Sequence, residues 1–306
     1  MKTKSFIATG ALGLALAAAI LSGCKKDPPM APVTNANADI TPAMDEANAS
    51  FASTDSKNIA DAVMQSQSSA NTPSADRYGS MENFYGHCIK VYGSDTVVNG
   101  KQDTIVYIDF GGTDCFGDDQ RERRGTIIVF WGLTHPGETQ RQAYFDSANT
   151  ITQTFRNYFL RKTGIAGIRT WTNEDHNVSG YQNWTHTANL TLTYPNGQTA
   201  TWEANRNNAI AQVNGVWYYE LTGDAKGMSR NGIEYTYSIA SPVYITVLPW
   251  WAGGCPWPEA GSVTITRTNP ASGSITFVIN YGTLGTCSGT KTVTVSGSGT
   301  KTFAMW

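Results

Sequence analysis

The chain has 306 residues, 40% of them hydrophobic, 11% aromatic and 15% charged, with a formal charge of −2. Without the first 23 residues it carries 20 basic and 24 acidic side chains, a formal charge of −4. A mildly acidic chain is a poor binder of nucleic acid, and none is expected as a partner.

Lys2 and Lys4 precede an apolar run from Phe6 to Ile20, too short to be a comfortable membrane span. Leu21-Ser22-Gly23-Cys24 follows, and this order resembles the lipobox of bacterial lipoproteins. The resemblance implies a signal peptide over 1–23, cleavage before Cys24 and lipidation of Cys24. The membrane is then a partner through several acyl chains, and the working compartment is oxidising. Lys25-Lys26-Asp27 resembles the signal that sends Bacteroidota lipoproteins to the outer face of the outer membrane. A surface-exposed, outer-membrane location is expected, with a periplasm-facing anchor as the alternative. Residues 24–76 read as a lipidated, disordered tether. Up to about Ala75 they are mostly Ala, Ser, Asn, Asp, Pro and Thr, with Phe51 the only aromatic. Such a segment buries too little apolar area to offset chain entropy. A weak helix around Lys57 to Gln67 is conceivable, because Ile59, Val63 and Met64 share one face.

Residues 77–306 read as one all-β domain, rich in Thr, Val, Ile, Tyr, Trp and Phe and broken by turns every eight to twelve positions. Thr104 to Phe110 alternates, and Thr126 to Trp131 is nearly continuous apolar text. Thr187 to Tyr194 and Thr199 to Ala204 flank Asn196-Gly197, a hairpin signal. Asn214-Gly215 precedes Val216 to Leu221, and Asn231-Gly232 precedes Ile233 to Ile239. Lys162-Thr163-Gly164 is a further turn. Connections this short favour antiparallel neighbours. The expected fold is a large antiparallel meander of ten to twelve strands, curled or packed as a sandwich.

Four cysteines lie beyond Cys24: Cys88, Cys115, Cys255 and Cys287. An internal two-fold repeat orders them. Cys88 leads to Asp103–Gly111, Cys115 and Gly125–Val129. Cys255 leads to Ser274–Gly282, Cys287 and Thr290–Val295. Aligning Asp109-Phe110-Gly111 on Asn280-Tyr281-Gly282 brings the second cysteines within one residue of register. The simplest inference is one disulfide per unit, Cys88–Cys115 and Cys255–Cys287. The alternative is Cys115–Cys287 with Cys88–Cys255. A thiolate metal site is not expected in an exported chain without a CxxC pair. Gly254-Cys255, Pro258 to Gly261, Ser274 to Gly282, Cys287 and Thr292-Val293-Thr294-Val295 together resemble a recurrent family of uncharacterised Bacteroidota lipoproteins. This chain has Asn280-Tyr281 where that family's pattern has Asp-Phe. The resemblance implies an all-β fold and an envelope location, and no activity.

Chemistry is sparse. His87, His135, His176 and His186 share no metal-ligand spacing. His135-Pro136-Gly137-Glu138 reads as a solvated turn, so neither a metal nor a cofactor is expected. No nucleophile elbow, phosphate loop or dinucleotide fingerprint occurs. Asp114, Asp118, Asp119 and Glu122 lie beside Arg121, Arg123 and Arg124, and read as a hairpin tip that neutralises itself. Asp109 reads as a carboxylate bonding turn amides. Most tryptophans should be core. Trp250, Trp251 and Trp257 differ, since they crowd a Gly/Pro-rich loop beside Cys255. The functional expectation is a non-enzymatic binding protein for glycan or a surface protein, using a sheet face or the Trp250–Trp257 loop. The alternatives are a carrier cupping an apolar ligand, and a glycosidase working through Asp109 and Glu203.

Overall fold

Tight turns set the connectivity. Asn214 sits in the left-handed region at φ 52°, which a two-residue hairpin loop requires. The structure, a computed structural model, describes residues 39–66, 88–98, 101–117, 121–133, 135, 138, 140–176, 182–247, 254–255, 257–269, 273–295 and 299–305. They belong to one unit, Asn37–Trp306. Helix α1 spans Thr41–Ser66. Strands β1 (Lys90–Val98), β2 (Lys101–Asp109), β3 (Cys115–Phe116) and β4 (Glu122–Gly132) follow. A short helix α2 (Gln140–Phe145) precedes β5 (Thr150–Leu160), β6 (Thr163–His176), β7 (Gln182–Thr193) and β8 (Thr199–Val213). Then come β9 (Val216–Met228), β10 (Glu234–Thr246), β11 (Ala260–Asn269), β12 (Gly273–Asn280), β13 (Thr290–Val295) and β14 (Gly299–Ala304).

The strands form one antiparallel meander in chain order, with β3 paired only to β4. The sheet is open, and β1 and β14 are its edges. It is thus a single curled sheet of 14 strands, more than the ten to twelve expected, and not a two-sheet sandwich. The disulfides are Cys88–Cys115 and Cys255–Cys287, one per cysteine unit. Each closes a loop of about 30 residues and contributes roughly 3 kcal/mol. The two units share an order of cysteine, strand, strand, cysteine, strand. They also share a turn: Asp109 Oδ1 accepts the Gly111 amide at 3.0 Å, and Asn280 Oδ1 accepts the Gly282 amide at 2.8 Å.

The main correction concerns residues 24–76. The described part of that stretch is no tether but α1, a largely buried helix in which Asn58 is exposed. Asp39 Oδ1 accepts the Thr41 amide at 3.0 Å, and Pro42 follows near the first turn, where its missing N–H costs nothing. Ala43, Ala47, Ala49, Ala52 and Ala60 are buried, and their small side chains let the strand walls approach closely. Ile40, Met44, Phe51, Ile59, Val63 and Met64 fill the remaining space. Inward residues of the sheet, among them Trp131, Trp171, Trp202, Ile265, Phe277 and Val293, complete the same core.

The polar side chains of α1 are matched by the wall. Asp45 accepts from Tyr194 Oη and Arg230 Nε, both at 2.7 Å. Glu46 pairs with Arg206 at 2.7 Å. Asp55 takes Arg121 and Arg123, each at 2.8 Å. Ser56 exchanges two bonds of 2.9 Å with Gln153, and Arg169 donates to the Ser53 carbonyl. Asp61 accepts from Tyr144 of α2 at 2.8 Å.

Glu46 carries a pH signature. Burial pushes its carboxyl up to about 7, against the charge and hydrogen bond of Arg206, and its Oε2 has no hydrogen-bond partner. The folded chain therefore holds this proton more tightly than the unfolded chain. Its contribution is fully present below about pH 4.5 and is lost as pH rises toward 7. His186 acts oppositely, since burial and then Arg169 hold its imidazole well below its ordinary value. The difference between wild type and Glu46→Gln isolates the first effect. Urea midpoints should show wild type losing up to about 3 kcal/mol relative to the variant between those two limits. A pH-independent difference would mean that Glu46 stays ionised throughout.

Candidate functional site

The outer face of the sheet carries a groove of about 550 Å³ that crosses β6 to β10. Its position follows from strand register. Ala188, Ala204 and Ala225 pair across β7, β8 and β9 with their side chains buried in the inward phase, so between the two outward rows the floor is strand backbone. Ile168, Asn189, Glu203, Lys226 and Thr236 form one wall as a continuous cross-strand row. Thr170, Thr187, Asn205 and Asp224 form the other. With strands about 4.8 Å apart, the groove runs for about 19 Å perpendicular to them.

Two glycines flank it. Gly167 and Gly223 have φ of 119° and 114°, and a Cβ on either would lie 2.1 Å from the Asn189 carbonyl oxygen or 2.3 Å from that of Asn205. These close approaches draw β6 onto β7 and β9 onto β8, on either side of the β7–β8 centre. The walls offer amides at Asn189 and Asn205, hydroxyls at Thr170, Thr187 and Thr236, and two carboxylates. Glu203 pairs with Lys226 at 2.9 Å, which raises the Lys226 ammonium above its usual range. Thr170 and Thr187 share a hydrogen bond of 2.7 Å across the strands.

The other expected residues fall elsewhere. Cys24, Trp250, Trp251, Asp118 and Asp119 lie outside the described residues. Trp257 is half-buried and stacks on Phe51 of α1 with ring centroids 4.9 Å apart. Its partner is thus the core helix. Asp109 does bond the turn, accepting from the Gly111 amide and from Thr126 Oγ1. Four strands separate it from Glu203, so the structure does not bring that pair together. At the β3–β4 tip, Asp114 pairs with Arg124 at 3.5 Å. Burial and the neighbouring Asp114 push the Glu122 carboxyl up. Arg121 and Arg123 turn instead to Asp55, so the tip's charges are not self-contained. The interior leaves a cavity of about 20 Å³ beside α1, lined in part by Phe51, Tyr237 and Tyr281. That is room for about one water.

A second cluster was not anticipated. His135 and Glu138, read as a solvated turn, are joined by Asp146 from the end of α2. His135 Nδ1 lies 3.3 Å from Glu138 Oε2 and 3.2 Å from Asp146 Oδ2. Asp146 is eleven residues from His135, and α2 returns the chain across that gap. Spacing rules for single loops or helices do not cover such a return.

No family model matches the chain, no curated protein is significantly similar to it, and no solved structure matches its fold.

Proposed function

We propose that this chain is a lipid-anchored protein of the cell envelope, held through Cys24, that binds glycan along the outer groove of β6 to β10. The groove carries this reading. It is of ligand-site volume, extended, and walled by neutral amides and hydroxyls that complement rows of sugar hydroxyls. Glu203 and Asp224 add acceptors, and Lys226 a donor. The lipobox text and Lys25-Lys26-Asp27 support a surface location. The sheet interior, where a carrier would hold an apolar ligand, is filled by α1.

A glycan array followed by titration calorimetry on the best hit tests the reading. Asn189→Ala with Asn205→Ala removes two hydrogen-bonding walls and should weaken binding by about tenfold or more. Trp257→Ala should leave affinity unchanged. Binding that survives the asparagine pair but fails in the tryptophan variant would place recognition in the Trp250–Trp257 loop. Protease shaving of intact cells tests the address separately, and a protected domain would put it in the periplasm.

A further inference from the structure

We propose that His135, Glu138 and Asp146 form a binding site for a single divalent cation of the zinc type. The site is independent of the glycan groove. Its three ligand atoms lie within 4.8 Å of one another. A tetrahedral zinc with bonds of about 2.0–2.2 Å to nitrogen and oxygen requires ligand atoms separated by about 3.3–3.5 Å. The separations of 3.3 and 3.2 Å from His135 Nδ1 to the two carboxylate oxygens already match two edges of such a polyhedron. The third edge, from Glu138 to Asp146, lies within 4.8 Å.

The ligands are held in place before any ion arrives. Glu138 Oε2 accepts the His135 amide at 2.6 Å, and Asp146 Oδ1 accepts the Ser147 amide at 3.0 Å. The backbone beneath is fixed by two buried asparagines. Asn149 Nδ2 donates to the carbonyls of Gly132 and Ala143, at 3.1 and 2.5 Å. Asn173 Nδ2 donates to those of Tyr144 and Asp146, at 2.7 and 3.2 Å. These bonds hold the end of β4 and the α2 segment that leads to Asp146.

Exposure is graded across the cluster. The Glu138 and Asp146 side chains are 9% and 27% exposed, while His135 is 72% exposed. The carboxylates form the sheltered base and the imidazole stands at the rim; a water would supply the fourth ligand of a tetrahedral zinc. One imidazole nitrogen with two carboxylates favours zinc over calcium, which prefers six or more oxygens. The ion would tie the loop after β4 to the far end of α2. Tyr144 of α2 bonds Asp61 of α1, so the site braces the segment that holds the core helix.

Calorimetric titration of chelator-treated mature chain with zinc chloride tests the proposal, with calcium chloride as comparison. One zinc per chain is expected, with calcium weaker by at least about tenfold. His135→Ala and Asp146→Asn should each weaken zinc binding by about tenfold or more. Both residues are on the surface, so the variants should fold, as far-UV circular dichroism will verify. Zinc should also raise the Tm of wild type and not that of His135→Ala. Absence of a one-site isotherm in wild type, or wild-type zinc affinity in both variants, would overturn it. The latter would mean that the three side chains are only a histidine–carboxylate ion-pair cluster.

Discussion

Replacing Asp55 with alanine is expected to destabilise the chain by about 3–5 kcal/mol. Asp55 of α1 lies in the core, where burial pushes its carboxyl up and the charges of Arg123 and Arg121 outweigh that push and hold it below its ordinary range. Both arginines are buried, and Arg121 also lies over the Phe51 ring at 4.6 Å. Removing the carboxylate takes away the anion that balances two desolvated cations. The charge imbalance accounts for most of the cost, more than the lost hydrogen bonds themselves. Asp55→Ala combined with Arg123→Met should therefore recover part of the loss, because an apolar side chain of similar length is tolerated where an uncompensated cation is not. Urea unfolding of the two variants and wild type, with the m value held as a check, measures both effects. A loss below about 1 kcal/mol in the single variant would mean that water reaches the pair, as at an exposed ion pair.

The legibility of this fold in its sequence divides along the same line. Hairpins around Asn196-Gly197, Asn214-Gly215 and Asn231-Gly232 are readable because turn chemistry and period-two alternation are local. The disulfide pairing is readable because the strand text repeats. Of helix α1 only the last turns are readable, where Ile59, Val63 and Met64 share a face, because the rest has the composition of a linker and only contacts with distant strands bury it. A trace of it does exist. In β8 the inward series Ala200, Trp202, Ala204, Arg206 and Asn208 places an arginine and an amide in the core phase. Arg169 sits equally buried in β6 and Arg123 in β4. Arginines recurring in the inward phase require an acidic partner inside. The carboxylates at Asp45, Glu46 and Asp55 were available to supply it. The groove had no such trace. Thr187, Asn189, Glu203, Asn205 and Asp224 are ordinary outward residues one strand at a time, and become walls only when five strands fall into register.

A chain beginning at Arg77, where composition alone draws the domain boundary, is expected to lack a cooperative unfolding transition, whereas one beginning at Asp39 should keep it. The shorter chain loses α1 and with it six buried apolar side chains, Ile40, Met44, Phe51, Ile59, Val63 and Met64. At about 1.5–3 kcal/mol each, these contribute on the order of 10 kcal/mol before ordering entropy, as much as the net stability of a typical domain. The electrostatic loss compounds the apolar one. Arg121, Arg123, Arg206 and Arg230 would face one another across the emptied interior without Asp45, Glu46 and Asp55, and Trp171 and Trp202 would line a wetted trough. Two disulfides tether only the ends of the meander and cannot replace a central core. Far-UV and near-UV circular dichroism with urea titration would show retained strand signal, lost aromatic signal and a broadened, low-m transition in the shorter chain. A sharp transition with the m value of the longer chain would instead mean that the sheet closes its inner face by itself. The arginines would then have to reach solvent by themselves, and α1 would be a removable insert rather than the centre of the fold.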